Sequence, residues 1–353
     1  MQLTAETVAK YKAEAPELMD AVSTGEAEFI MKRDPVTDTC VKFEGGWCGI
    51  HRDYGEAFLG DACQFFPRVS RALGAVVVTG STLSCPEMAR LMLYGEDAFA
   101  FTPRTEIRAP YSLRNYLPSG LSEERALAVH AVMLEVAGDA TVSAEHSLMR
   151  VSAVAHALEM QPVEAWPDAA PLYAGMADGR LPAAQPESTD MFFLAQALHG
   201  LVMAGAHPRP RLLELLNAMA SMLGVAFETG GLRLAPDFEQ QEVLVKARMH
   251  AQGAVLQPVL RRYLEAQISQ SLFPFSGFGA TLSERIGIIG VRFATVKLAL
   301  ATLPEQPEPS EVIRIIQTLA RFMDHLADPT LSLQIYRETG WLREARLRAL
   351  IME

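Results

Sequence analysis

Four cysteines, Cys40, Cys48, Cys63 and Cys85, lie within the first quarter of this 353-residue chain, and it has no others. They stand in strings that packing alone does not require. These are Cys40-Val41-Lys42-Phe43, Gly46-Trp47-Cys48-Gly49-Ile50-His51, Cys63-Gln64-Phe65-Phe66-Pro67-Arg68 and Leu83-Ser84-Cys85-Pro86-Glu87. Thiolates gathered in this way are the soft ligands that iron–sulfur clusters and zinc select. The plainer alternative is four reduced thiols acting as small apolar groups. Clustering and flanking glycines favour one metal centre, and the lack of Cys-x-x-Cys knuckles counts a little against zinc. His51 reads as a hydrogen-bond partner of a ligand rather than as a ligand itself.

Other chemistries find little footing. His130, His146, His156, His199, His207, His250 and His325 are scattered, and none belongs to a His-Glu-x-x-His pattern. No Gly-x-Ser-x-Gly elbow occurs. No Gly-x-Gly-x-x-Gly joins a strand to a helix; Gly230-Gly231 reads as a turn, and Gly287 and Gly290 as close helix packing. A net charge of -11 argues against general nucleic-acid binding, which rewards clustered Lys and Arg. With half its residues hydrophobic, the chain can build a sizeable core. Met1 to Lys12 shows no secretory pattern, and the most apolar run, Ile286 to Leu303, is interrupted by Arg292 and Lys297. A cytoplasmic location is expected, where clustered cysteines suit metal better than disulfides.

The elements that must position the cysteines are short. The spacing predicts a helix over Thr4 to Val22, strands over Glu28 to Lys32, Thr39 to Phe43 and Ala75 to Thr82, and a short helix over Arg52 to Leu59. Pro86 suits the first turn of a helix reaching Tyr94. After a Pro- and Arg-rich loop, Phe101 to Pro118, the pattern turns helical. Helices are expected over Ser122–Ala137, Ser143–Gln161, Ser188–Ala204, Pro210–Leu223, Phe238–Leu272, Ser283–Leu303, Ser310–Leu326 and Leu331–Leu350. Breaks fall at Pro162 to Pro186 and Pro304 to Pro309. The sixteen methionines read as core packing, and Arg343, Arg346 and Arg348 as a solvated helix face. The expected fold is mainly α, a multi-helical C-terminal region behind a small N-terminal α+β cysteine-rich module. Its divisions are residues 1–100, a linker and helical region over 101–186, and a helical domain over 187–353.

The cysteine strings, in order and spacing, resemble the cysteine region of the flagellin lysine N-methylase (FliB-type) family. Phe273-Pro274-Phe275 after a long helix, and Arg321-Phe322-Met323-Asp324-His325 closing a late one, extend the likeness. The resemblance implies an iron–sulfur cluster, best a 4Fe-4S centre, held by Cys40, Cys48, Cys63 and Cys85, with zinc as the alternative. It also implies methyl transfer from S-adenosylmethionine to lysines of flagellin or a related surface protein. Two departures stand out. Family members carry a further Cys-rich stretch ahead of the segment matched by Met1 to Leu18, so the N-terminal part of the cysteine cluster is expected to be missing here. The family's Glu-Asn-Tyr-Leu is replaced by Arg261-Arg262-Tyr263-Leu264.

Methylation needs a neutral lysine amine, and a free lysine holds its proton up to a pKa of about 10.4. Acidic or phenolic groups in an apolar pocket could remove it, which nominates Tyr263, Glu265 and Glu284 near the family-like helix. Each taken singly reads first as a packed ring or an ordinary surface charge. The competing class of function is a non-catalytic metal-binding protein whose cluster serves folding or contact with a partner.

Overall fold

In a computed structural model of the chain, the described residues are 2–24, 29–35, 39–104, 113–180, 190–203, 210–228, 231–324 and 329–352. The N-terminal part is made of small pieces. Strand β1 (Gln2–Leu3), helix α1 (Ala5–Glu14), strands β2 (Val22–Thr24) and β3 (Phe29–Met31), hairpin β4 (Phe43–Glu44) and β5 (Trp47–Cys48), and helices α2 (Gly49–Tyr54) and α3 (Asp61–Phe65) follow in order. β3 lies between β1 and β2, antiparallel to both. The helix expected over Thr4 to Val22 breaks at Ala15, because the residue before Pro16 is pushed out of the helical region. Pro16–Ala21 continues as a tighter 3-10 turn.

This part has its own core. Leu3, Val8, Tyr11, Leu18, Val22, Met31 and Ile50 bury against one another, with Cys40, Cys48, Tyr54, Phe58 and Leu59 packed on them. A second, much larger core begins at Leu73 and runs to Ile351. The change from one core to the other therefore falls between Leu59 and Leu73, and the segment that carries Cys85 packs with the helices.

Hairpin β6 (Arg68–Leu73) and β7 (Val76–Ser81) leads into helix α4 (Pro86–Tyr94). Helices α5 (Glu123–Gly138), α6 (Ala144–Glu159), α7 (Trp166–Met176), α8 (Asp190–Met203) and α9 (Pro210–Met222) come next. Hairpin β8 (Val225–Glu228) and β9 (Gly231–Leu234) precedes the 34-residue α10 (Phe238–Ser271). Helices α11 (Leu282–Leu300), α12 (Pro309–Met323), α13 (Pro329–Glu338) and α14 (Glu344–Met352) complete the chain. The protein is thus mainly helical, with small antiparallel sheets toward its N-terminus.

Ser122 and Ser143, expected as helix starts, cap those helices: their side chains accept from the Arg125 and His146 amides. α7 occupies the stretch read as a Pro-rich break. Pro167 sits in its first turn, where a missing N–H is harmless, and Pro171 is accommodated inside. The single helix expected over Leu331 to Leu350 divides at Gly340, whose φ of 76° only glycine adopts cheaply. Arg343 is exposed, whereas Arg346 and Arg348 are half-buried, so the last helix is not a wholly solvated face. Gly287 and Gly290 do mark close packing of α11 on α14. A Cβ at Gly287 would meet Leu342 Cδ2 at 2.7 Å, and one at Gly290 would meet Leu347 Cδ1 at 2.6 Å. Among the described residues no helix is long and apolar enough to cross a membrane.

Candidate metal centre and the buried polar cluster

Cys40 and Cys48 stand at the two ends of one tight excursion of the chain. Cys40 bridges to Arg33, its carbonyl accepts from the Phe43 amide, and the Gly49 amide returns to the Lys42 carbonyl at 2.7 Å. Cys48 is the cross-strand partner of Phe43. Cys63 arrives from a third element, the middle of α3. All three are half-buried free thiols. Burial first, then the charges of Cys40 and Cys48, push the Cys63 thiol up to about 11. Burial, followed by Cys63, Cys48 and Cys40, pushes the Tyr11 hydroxyl up to about 12. Tyr11 donates that proton to the Phe58 carbonyl at 2.7 Å and is fully buried.

Cys85 stands elsewhere. It is the residue before Pro86 at the head of α4, and its carbonyl accepts from Ala89 in the first turn. It is not one of the thiols acting on Cys63 or Tyr11. His51 is exposed on α2. Among the described residues, no three His, Cys, Asp or Glu side chains stand close enough to close a metal shell as placed. The donor chemistry fits a soft metal or cluster for Cys40, Cys48 and Cys63. The position of Cys85 leaves a four-thiolate set unassembled.

The three candidates for handling a proton are not gathered. Tyr263 is buried in the main core against Phe293, and burial raises its pKa beyond the working range, so its hydroxyl keeps its proton. Glu265 packs against Gly138 and pairs with Arg262 at 3.6 Å; burial raises its carboxyl. Glu284 caps the start of α11, accepting from the Ala280 amide at 2.8 Å and pairing with Arg337 at 2.6 Å. Hydrogen bonds from Ala280 and Arg337 outweigh burial and hold its carboxyl low. Arg261 and Arg262 tie down loops: Arg261 donates to the Val142 carbonyl and Arg262 to the Glu96 carbonyl at 3.0 Å.

A buried polar cluster lies under the Phe-Pro-Phe turn; of its members, sequence reading nominated Tyr263 as a site residue and missed the rest. Tyr263, Gln267 and Gln270 recur at helical spacing on one face of α10. Asp324, which ends α12, accepts from Thr82 Oγ1 at 2.9 Å, from Gln270 Nε2 at 3.0 Å and from Arg292 Nη1 at 3.2 Å. Arg292 also donates to the Met323 carbonyl at 2.8 Å. Arg71 reaches the same region, donating to Ser276 Oγ at 2.8 Å and to the Gln270 carbonyl. The turn itself is pinned by His130, whose Nδ1–H donates to the Phe273 carbonyl at 2.7 Å, and by Arg285, which donates to the Pro274 carbonyl at 2.7 Å. Burial keeps His130 neutral by lowering its pKa. His325, singled out from the sequence, lies outside the described residues. The only sequence signal for this cluster was the family-like pair of strings, Phe273-Pro274-Phe275 and Arg321 to His325.

Compared with models of known protein families, with curated proteins and with solved structures, the chain matches none.

Proposed function

We propose that this protein is an S-adenosylmethionine-dependent protein lysine N-methyltransferase acting on flagellin or a related surface protein, with cysteine thiolates holding an iron–sulfur cluster. The observation that supports the reading is that Cys40, Cys48 and Cys63, though not gathered into a closed shell, all act electrostatically on the buried Tyr11 of the N-terminal module. Burial, then the charges of Cys40 and Cys48, raise the cost of ionising Cys63, a penalty that a bound cation would reverse. Cys85 is the fourth thiolate of the reading. When bound, the centre supplies a cross-link that the few apolar residues of the small core do not.

For methyl transfer the chain must hold a lysine and take its proton, because only the free amine carries a lone pair. Glu265 is the candidate whose burial raises its proton affinity toward that task. Tyr263 keeps its own proton and is suited to orient by donation. The dispersal of Tyr263, Glu265 and Glu284 is the observation that favours the second reading, a metal-binding protein without catalysis.

The test is incubation of anaerobically prepared, metal-loaded protein with S-adenosylmethionine and flagellin, read by intact mass. Mass steps of one methyl group on lysines are expected. An unchanged flagellin mass with folded, loaded protein would sink the enzymatic reading and leave the non-catalytic one.

A further inference from the structure

Helix α10 reverses the usual division of its faces over residues 240 to 258. Its charged side chains there are tied inward: Glu242 is buried, Lys246 pairs with it at 3.1 Å, and Arg248 donates to the Leu303 carbonyl at 2.6 Å. The exposed positions of the same stretch carry no Asp, Glu, Lys or Arg. Val243 at 66%, Leu244 at 61% and Val255 at 50% exposure flank the exposed Ala247, Ala251 and Ala254. Recurring every three to four residues, these form one stripe about 18 Å long, where a solvent-facing helix surface is ordinarily charged. A continuous exposed apolar stripe marks a contact surface.

The stripe fits a second copy of itself. When two α10 helices cross antiparallel about a two-fold axis between Ala247 and Ala251, Val243 faces Val255 and Leu244 faces Ala254. The smallest side chains then lie at the crossing, where helix axes approach to about 8–10 Å. The ends of the stripe set the direction. Asp237 is exposed at the N-terminal end, and Arg261 and Arg262 stand at the other, positive in sum even with Glu265 beside them. Antiparallel copies set acid against base at both ends, and parallel copies would set like against like. The net charge of -11 makes copies repel over most of their surface, so an uncharged stripe is where they can approach.

We propose that the exposed stripe of α10 is the interface of a two-fold homodimer, its two helices packed antiparallel around Ala247 and Ala251. The stripe offers roughly 500 Å² per copy, below the ~800 Å² of a standard interface, so the dimer assembles at micromolar concentration rather than permanently. This assembly is independent of the methyl-transfer reading.

Sedimentation velocity of the full chain from about 1 to 200 µM tests it. The average mass is expected to rise from monomer toward dimer with concentration. Ala251→Arg places a charge at the crossing and should hold the mass at the monomer value throughout. Leu172→Arg, at an exposed apolar position of α7, should leave the rise unchanged. The register is read from a mixed pair. Val243→Glu and Val255→Lys should each weaken self-association, and an equimolar mixture should recover it, because each new charge then meets its opposite across the axis. Recovery also shows that both variants fold. A parent that stays monomeric, an association indifferent to Ala251→Arg, or a mixture no better than its components overturns the assignment.

Discussion

The two cores of this chain differ in how much they can hold by themselves. The helical body buries residues from Leu73 to Ile351, including Trp341, Tyr263, Phe273 and Phe293 at essentially zero exposure. The N-terminal module rests on a few side chains around Tyr11 and Leu18, and it leaves Trp47 73% exposed and Phe43 50% exposed. Apolar burial stabilises by roughly 25 cal/mol per Å², so a unit with so little of it leans on a cross-link or a bound metal. Three of the four cysteines lie there, close enough to act electrostatically on Tyr11. Chemistry and weak packing coincide in the module; the body is built on packing, with its polar cluster set inside.

The sharpest way to break this comparison is to withhold the proposed metal from the module. Anaerobic chelation, or Cys63→Ser, should abolish amide protection across residues 2–65 while the thermal transition of the body stays in place. Hydrogen exchange reads both at once, and full protection without metal would mean the small core suffices alone. The same measurement on Cys85→Ser shows whether the fourth thiol serves the module or only the head of α4.

A smaller effect probes the body. Gly287→Ala places a methyl group against Leu342, whose Cα lies 3.2 Å from the new Cβ, so relief requires backbone movement. A loss of about 1–3 kcal/mol is expected by denaturant unfolding, and a neutral result would show that α14 is loosely seated.

The smallest effect is electrostatic. Asp139 is held at about 2 by hydrogen bonds from Thr141, first the side chain and then the backbone, and by Arg150. Its folded pKa is below the ordinary aspartate value, so its stabilisation is complete above about pH 4 and disappears as pH falls toward 2. Asp139→Asn should therefore cost about 1 kcal/mol at pH 7, and the difference from the parent should vanish in acid. A pH-independent difference would assign the effect to packing.

What could be read in the sequence followed the range of the forces involved. Ser122 and Ser143 announced their helices because a cap acts over three residues. Pro86 and Pro210 marked helix starts for the same reason. Pro167 and Pro171 misled: Pro167 sits in the first turn, where proline is tolerated, and Pro171 is accommodated inside the helix against the usual rule. β6 escaped notice because Arg68-Val-Ser-Arg-Ala-Leu carries no clean alternation; only its partner β7 has the β-branched run. The Asp324 cluster joins residues up to 242 positions apart, and no local pattern encodes such a meeting. The strings predicted four cysteines at one centre; the seating of Cys85 on the body depended on which core received residues 68 to 94, a long-range choice that no local pattern encodes.

The short stretch from Thr82 to Cys85 works as a tether. Thr82 grips Asp324, the Ser84 carbonyl takes a hydrogen bond from Gln317 at 2.8 Å, and the next residue is the sulfur-bearing one. A pull on that sulfur is thus delivered within three residues to the carboxylate that anchors Arg292 and Gln270. A ligand that binds the thiol only when this stretch is seated would stabilise the Asp324 contacts, and losing those contacts would weaken its binding by the same factor.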